Sequence, residues 1–443
     1  MKRLFKSYSL VSQQNIHSQA LTWAYNRFSC LCYLNSNNHT LDPYSEQSTI
    51  LAAGVRNQMI PAGEESAFEK LKNFTEDNQD WLFGFFSYDL KNQLENLQSL
   101  NPDGIKMPLM HFFVPEVLII FTNDEIKIGL ISDDSTSKQH EKILEEILET
   151  SIYQAKNKAK FPKVKHRVSK TRYLETVQKI KKHIHLGDIY EANFCIEFYS
   201  QNIEVDPLEV YLSLNAQNPS PFSCFYKLND KYLISSSPER FLAKRGQKLI
   251  SQPIKGTIRR GKTPEEDLEL KNQLLNDPKE RSENVMIVDL VRNDLSHTAE
   301  NGSVKVEELF GIYTYPKVHQ MISTVTSLLK KNFHFTDAIK FAFPMGSMTG
   351  APKIRAMELM EKYENTRRGL YSGAVGYFSP DRNFDFNVII RSILYNQSEK
   401  YLSFMAGSAI TADSDPLKEY QECLLKAESM AQAIKPDARL LNC

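Results

Sequence analysis

Short β-branched and aromatic runs succeed one another at residues 193–199, 221–226, 232–235 and 248–254, and this clustering is the strongest constraint on the fold. Such runs, bounded by Gly, Pro, Asn or Ser, read as strands. Further strands are expected at 370–378, 387–394 and 401–405. Helical patterns lie between these groups at irregular intervals. Ser169 or Thr171 can cap a helix reaching Leu186, with Tyr173, Val177, Ile180 and Ile184 on one face and Gly187 as its stop. Thr263, followed by Pro264, Glu265 and Glu266, opens a helical stretch to about residue 293, with a break expected near Pro278. Helices are also expected at 336–343, 351–363 and 416–433. Strands in groups with helices scattered among them predict an α+β fold, not a doubly wound parallel sheet.

The first part of the chain is looser in texture. Strand-like segments at 81–88, 114–121 and 125–131 precede an exposed helix expected at 138–159 and a basic connector from Lys156 to Arg172. This division predicts an N-terminal region at 1–160 and a catalytic region at 168–435, both forming one body.

Charge and cysteine content narrow the function classes. The chain has 54 basic and 54 acidic side chains, so its zero formal charge offers no general attraction to nucleic acid or an anionic membrane. The longest apolar run, 117–121, falls far short of a membrane span, and no apolar segment of a signal peptide follows the basic start. The 6 cysteines form no CxxC or zinc spacing, which predicts reduced thiols and a cytoplasmic setting.

Several groupings can carry chemistry. Glu280 and Glu283 share one helix face, and Glu419 and Glu422 share another. Convergence of the two pairs would suit a hard cation such as Mg²⁺; on spacing alone, acidic pairs on charged helices are mostly solvated surface. Glu239, between Pro238 and Arg240, is either a proton donor with a raised pKa or a partner of Arg240. Lys255 ends a strand-like segment beside Gly256, Arg259 and Arg260. Neighbouring cations there would depress its pKa and free a nucleophilic amine, or the side chain is a surface lysine. The small-residue loop from Phe343 to Lys353 opens a helix and either receives an anion or is a plain loop-to-helix junction. It is neither a P-loop nor a dinucleotide fingerprint, which favours a carboxylate over a polyphosphate.

These segments occur in one collinear order: Gly187-Asp188-Ile189-Tyr190, Ser237-Pro238-Glu239-Arg240-Phe241, Pro253-Ile254-Lys255-Gly256-Thr257, Arg281 to Asp294, Val318 to Thr324, Gly346 to Lys353, Tyr371 to Tyr377 and Ala412 to Pro416. In that order they resemble the chorismate-utilising enzymes, which include component I of anthranilate synthase and of aminodeoxychorismate synthase and the isochorismate and salicylate synthases. The resemblance implies an anthranilate synthase component I-like fold, with antiparallel sheets packed face to face and helices outside. It also implies Mg²⁺ held by Glu283 and Glu422, with Glu280 and Glu419 in support. Tyr371, Arg391, Gly407 and Lys426 would hold substrate carboxylates, joined by Ser347 and Thr257. Glu239 would be the general acid and His319 an active-site histidine.

Lys255 places the chain nearest the aminodeoxychorismate synthases, because anthranilate synthases have alanine at that position. The resemblance then implies that Lys255 attacks chorismate, from a pocket whose cationic groups lower its pKa. Ammonia would displace it, supplied by a separate glutamine amidotransferase subunit, since no Gly-x-Cys-x-Gly motif is present. Three positions depart from the family. Glu191 stands where ammonia users usually have glutamine and water users have lysine. Ala409 and Met345 replace glycines.

Overall fold

The computed structural model describes residues 3–9, 15–39, 42–45, 49–62, 66–131, 136–154, 164–435 and 440. Alternation along its strands decides how the layers stack, because successive side chains leave opposite faces of a sheet. In Cys30–Asn35, Cys30 and Cys32 enter a core shared with Phe83, Phe85, Phe113 and Val375. Leu31 and Tyr33, between them, pack on the other side with Ile16, Tyr173 and Tyr211. Both faces are buried, so the sequence reads as a continuous apolar run.

Repeated through the chain, this pattern gives two antiparallel sheets, of 12 and 10 strands among the described residues. The sheets face each other across the Phe83–Phe113–Tyr226 core. Helices Ile16–Arg27, Lys170–His185, Pro207–Gln217 and Pro416–Ile434 cover the larger sheet. Ala67–Asp77, Pro278–Ser296 and Phe335–Ala342 cover the other. The fold is therefore α+β with helices outside face-to-face antiparallel sheets. Strands from before and after residue 160 share both sheets. Cys30–Asn35 pairs with Phe222–Leu228, and Leu82–Phe86 pairs with Ala374–Phe378.

The expected break at Pro278 is present and has a clear cause. Asp277 closes Pro264–Asn276, and its side chain accepts the Glu280 N–H to cap Pro278–Ser296. Other expectations change. The single strand expected at 387–394 is two, Phe384–Val388 in one sheet and Ser392–Asn396 in the other, because the chain crosses between sheets at Arg391 (φ 51°). The strand expected from 370 begins at Ala374, after a turn with Ser372 at φ 62°. The run at 248–254 divides into Lys248–Gln252 and Ile254–Arg259, and that at 114–121 into Met110–Val114 and Val117–Phe121. The exposed helix is Thr136–Glu149, and 155–163, with the first half of the basic connector, lies outside the described residues.

Candidate active site

Glu239 and Arg391 occupy equivalent places in the architecture. Each lies where the chain passes from one sheet to the other: Glu239 between Lys231–Ser237 and Arg240–Arg245, and Arg391 between Phe384–Val388 and Ser392–Asn396. Backbone hydrogen bonds lock the crossings, from Val388 N to Glu239 O (3.0 Å) and from Ser236 N to Arg391 O (3.1 Å). A crossing residue belongs to neither sheet face, so its side chain is available to the space between the layers.

Lys255 spans that space. It projects from Ile254–Arg259, at the edge of the 10-stranded sheet. Its Nζ lies 2.7 Å from Oε1 of Glu191, the first residue of Glu191–Gln201 in the other sheet. It is also 3.8 Å from Glu283 Oε2 on helix Pro278–Ser296. The expected depression of its pKa by neighbouring cations is not what this geometry produces. Burial does disfavour the ammonium, but Glu191, Glu283 and Glu239 outweigh it and hold Lys255 above the ordinary lysine range. Arg259 and Arg260 are turned away and neutralised by Glu266 (2.6 Å) and Asp267 (2.7 Å).

Glu239 is buried, and it is not the partner of Arg240, which pairs with Asp385 (2.9 Å) and Asp42 (2.6 Å). Burial pushes the Glu239 carboxyl up to about 7, against the pull of Ser347, Lys255, the Ile254 N–H and Lys426. The Ser347 hydroxyl faces this carboxyl without completing a hydrogen bond. A buried carboxyl that keeps its proton near neutrality suits donation to a leaving group.

The acidic pairs on the two helices do approach. Lys279 lies between them, 3.6 Å from Glu283 Oε1 and 3.2 Å from Glu419 Oε1. Burial lifts Glu283 to about 7 and raises Glu280. Glu422 moves the other way: burial opposes it, but Lys426 at 2.5 Å holds it down. Gly256, at φ 86°, lets Glu280 come close, since a Cβ there would lie 3.2 Å from its Oε2. Among the described residues no group of three His, Cys, Asp or Glu side chains is gathered tightly enough to enclose a metal ion. The donor chemistry nevertheless fits a hard cation. Glu283 Oε1 and Glu419 Oε2 are buried acceptors without a hydrogen-bond donor, and the Lys279 ammonium already stands between the two carboxylates.

Arg391 has no carboxylate within ion-pair distance among the described residues, and burial lowers its pKa against the pull of Tyr371 and Glu422. Its Nη1 reaches only Lys426 O, at 3.4 Å. An uncompensated guanidinium near Tyr371 suits a carboxylate ligand. Lys426 donates to Gly407 O (3.1 Å). A Cβ on Gly407 would lie 2.6 Å from both Asn193 Oδ1 and Cys195 Sγ, so this glycine permits close strand packing. Ala409 lies opposite Asn193 on the same face as Gly407, and Met345 is buried in the core behind the loop.

Two expected residues stand apart. Thr257 is exposed on its strand opposite Gln320. His319 is buried, with Nδ1 2.9 Å from Thr314 Oγ1 and Nε2 3.0 Å from Asp267 Oδ1, so both ring nitrogens are engaged away from Lys255. Other participants were not apparent from the sequence. Arg368 donates to Met348 O (2.6 Å), Asn193 O (2.8 Å) and Glu364, while Glu364 Oε1 accepts the Cys195 N–H (3.0 Å). This buried pair fixes the Ser347 loop against the strand that carries Glu191. Its i, i+4 spacing looks like an ordinary surface ion pair in sequence.

Known proteins with related sequences and structures give a consistent picture. A family model described as chorismate binding enzyme matches residues 29–432. The chain is 35% identical over 368 residues to aminodeoxychorismate synthase component 1 of Bacillus subtilis, covering 81% of this chain and 78% of that protein. It is also 35% identical over 365 residues to anthranilate synthase component 1 of Thermus thermophilus, covering 80% and 77%. The crystal structure of anthranilate synthase component I from Streptococcus pneumoniae superimposes with a TM-score of 0.79 at 26% identity, covering 95% of this chain and 99% of that one.

Proposed function

The chain belongs to the chorismate binding enzyme family, and within it we propose that it acts as an aminodeoxychorismate synthase component 1, making 4-amino-4-deoxychorismate from chorismate and ammonia on the way to 4-aminobenzoate and folate. Overall identity does not separate this reading from the anthranilate one, because relatives of both kinds are equally similar. The observation that carries it is Lys255: a nearly enclosed amine spanning the two sheets, 2.7 Å from the Glu191 carboxylate and near a protonated acid.

In the proposed sequence, Glu191 Oε1, 2.7 Å away, accepts a proton from the Lys255 ammonium. The freed lone pair forms a bond to ring carbon 2. Both conjugated ring double bonds shift, the C4–O bond breaks, and Glu239 delivers its proton so that the hydroxyl leaves as water. Ammonia then bonds to carbon 4, both double bonds shift back, the C2–N bond breaks to return the amine to Lys255, and the proton shed by the new C4 ammonium restores Glu239. One difficult displacement becomes two allylic ones, and the enolpyruvyl ether is retained. Arg391, Tyr371 and Lys426 orient the substrate carboxylates. Glu283 and Glu422, backed by Glu280 and Glu419, would hold Mg²⁺, which when bound supplies positive charge for a substrate carboxylate. Glu191 Oε2, buried without a donor, suits the incoming ammonia or ammonium.

The name of the Bacillus relative, component 1, supports a second subunit that supplies ammonia from glutamine. Among the described residues no helix is long and apolar enough to cross a membrane, which is compatible with the proposed cytoplasmic setting. The test is product analysis of the purified chain with chorismate, Mg²⁺ and an ammonium salt. Aminodeoxychorismate without pyruvate release is expected. Anthranilate with stoichiometric pyruvate would replace this reading by the tryptophan-pathway one, and absence of turnover would reduce it to chorismate binding.

A further inference from the structure

The carboxylate cluster is already bridged by a cation of its own. Lys279 sits in the first turn of Pro278–Ser296, one turn before Glu283, and reaches across to Glu419 on Pro416–Ile434. The exposures of the partners differ sharply: the Lys279 side chain is 46% exposed, against 8% for Glu283 and 3% for Glu419. The carboxylates are fixed in the protein, whereas the long lysine arm has solvent beside it. Its reach is also incomplete. Glu283 Oε1 stands at 3.6 Å, outside hydrogen-bond geometry, and Glu419 Oε2 has no donor. Lys279 therefore compensates charge and satisfies Glu419 Oε1 but leaves Glu283 Oε1 and Glu419 Oε2 without a donor, which leaves room for a better cation.

We propose that Lys279 is a tethered counter-ion that holds the Glu283–Glu419 pair together until a divalent cation enters, then swings to solvent, so that its charge sets the affinity of the cluster for the metal. The proposal rests on the reading of Glu283 and Glu419 as metal-side carboxylates. A fixed positive charge beside a cation site opposes binding, and removing it strengthens binding through the same Coulomb interaction, moderated by solvent and salt. Lys255 and Lys426 differ from Lys279 in this respect. The first is almost fully enclosed against Glu191, and the second pairs with Glu422 on its own helix, so neither bridges the two helices through the acidic pair.

The test is calorimetric titration of the substrate-free full chain with MgCl₂, alongside thermal unfolding with and without the ion, for wild type, Lys279→Gln and Lys279→Arg. Lys279→Gln is expected to bind Mg²⁺ about tenfold more tightly, to melt lower than wild type without the ion, and to gain more from its addition. Lys279→Arg keeps the charge and should stay within about twofold of wild type. If Lys279→Gln binds Mg²⁺ no more tightly than a wild type that does bind it, the counter-ion role is overturned while the metal reading stands. If none of the three proteins shows binding heat or a thermal shift, both fail together.

Discussion

Two buried charge clusters lie close together in this protein and are built on opposite principles. In the Arg368–Glu364 pair, the guanidinium donates to Glu364, Met348 O and Asn193 O, and Glu364 accepts the Cys195 N–H as well. Around Lys255, lysines pair with some carboxylate oxygens, but Glu191 Oε2, Glu283 Oε1 and Glu419 Oε2 are left without donors. Burying polar groups is tolerable when each has a partner and expensive when it does not. The first cluster is a closed strut. The second has acceptors reserved for something that arrives: substrate, ammonia or a cation.

The largest effect that would break this contrast is at Lys255. Lys255→Ala should lose aminodeoxychorismate formation to the limit of detection. Intact-protein mass spectrometry with chorismate and Mg²⁺, but no ammonia, should show a covalent adduct on wild type only. Parental turnover by the variant would remove the covalent role, and pyruvate release would mark a turn toward anthranilate chemistry. Next comes Glu239→Gln, which keeps the shape and removes the proton. A general acid contributes about 100- to 10,000-fold, so turnover with chorismate should fall by that order. A rate within a few-fold of wild type would assign the proton to another group.

Arg368→Met probes the closed cluster, and its effect should appear in stability. Removing one partner strands a buried Glu364 and the Met348 and Asn193 carbonyls, which costs about 3–5 kcal/mol. Denaturant unfolding should show that loss, whereas Lys255→Ala should lose less, because its neighbours border a site that water can enter. Equal losses would mean that the two clusters do not differ in kind.

This contrast also marks what was legible in the sequence. Glu283, Glu239 and Lys255 sit in short collinear motifs, and Glu422 shares a helix face with Glu419, so all four are readable as candidates. Spacing alone could not show that Lys255 faces carboxylates instead of Arg259 and Arg260, because Glu191 arrives from the other sheet. The apolar run 387–394 looks continuous in sequence because φ at Arg391, not composition, makes the crossing. Strands Lys305–Thr314 and Val318–Leu328 were not expected. The second carries His319, Gln320, Ser323, Thr324, Thr326 and Ser327, and these polar side chains are buried in the middle of a sheet. Partners such as Asn284, which accepts the Ser323 hydroxyl at 2.6 Å, allow that, and no local pattern announces them. Arg368 and Lys279 were hidden for the same reason, as ordinary-looking charges whose partners are set by tertiary packing.

The smallest effect sharpens the assignment of Glu239 through pH. Its carboxyl is pushed up from 4.5 to about 7 by burial. Between those values the folded chain holds a proton that the unfolded chain has released, so folding stability falls as pH rises across this window. The contribution is fully present below about pH 4.5 and lost once pH passes about 7. Gln at 239 mimics the protonated carboxyl and does not titrate. The stability difference between Glu239→Gln and wild type should therefore be small near pH 4.5. It should grow in favour of the variant by about 1–3 kcal/mol by pH 8. Denaturant unfolding of both proteins at half-unit steps measures it directly, without substrate or metal. A difference that stays flat with pH would place an ordinary, ionised carboxylate at Glu239 and remove the physical basis for its service as the acid.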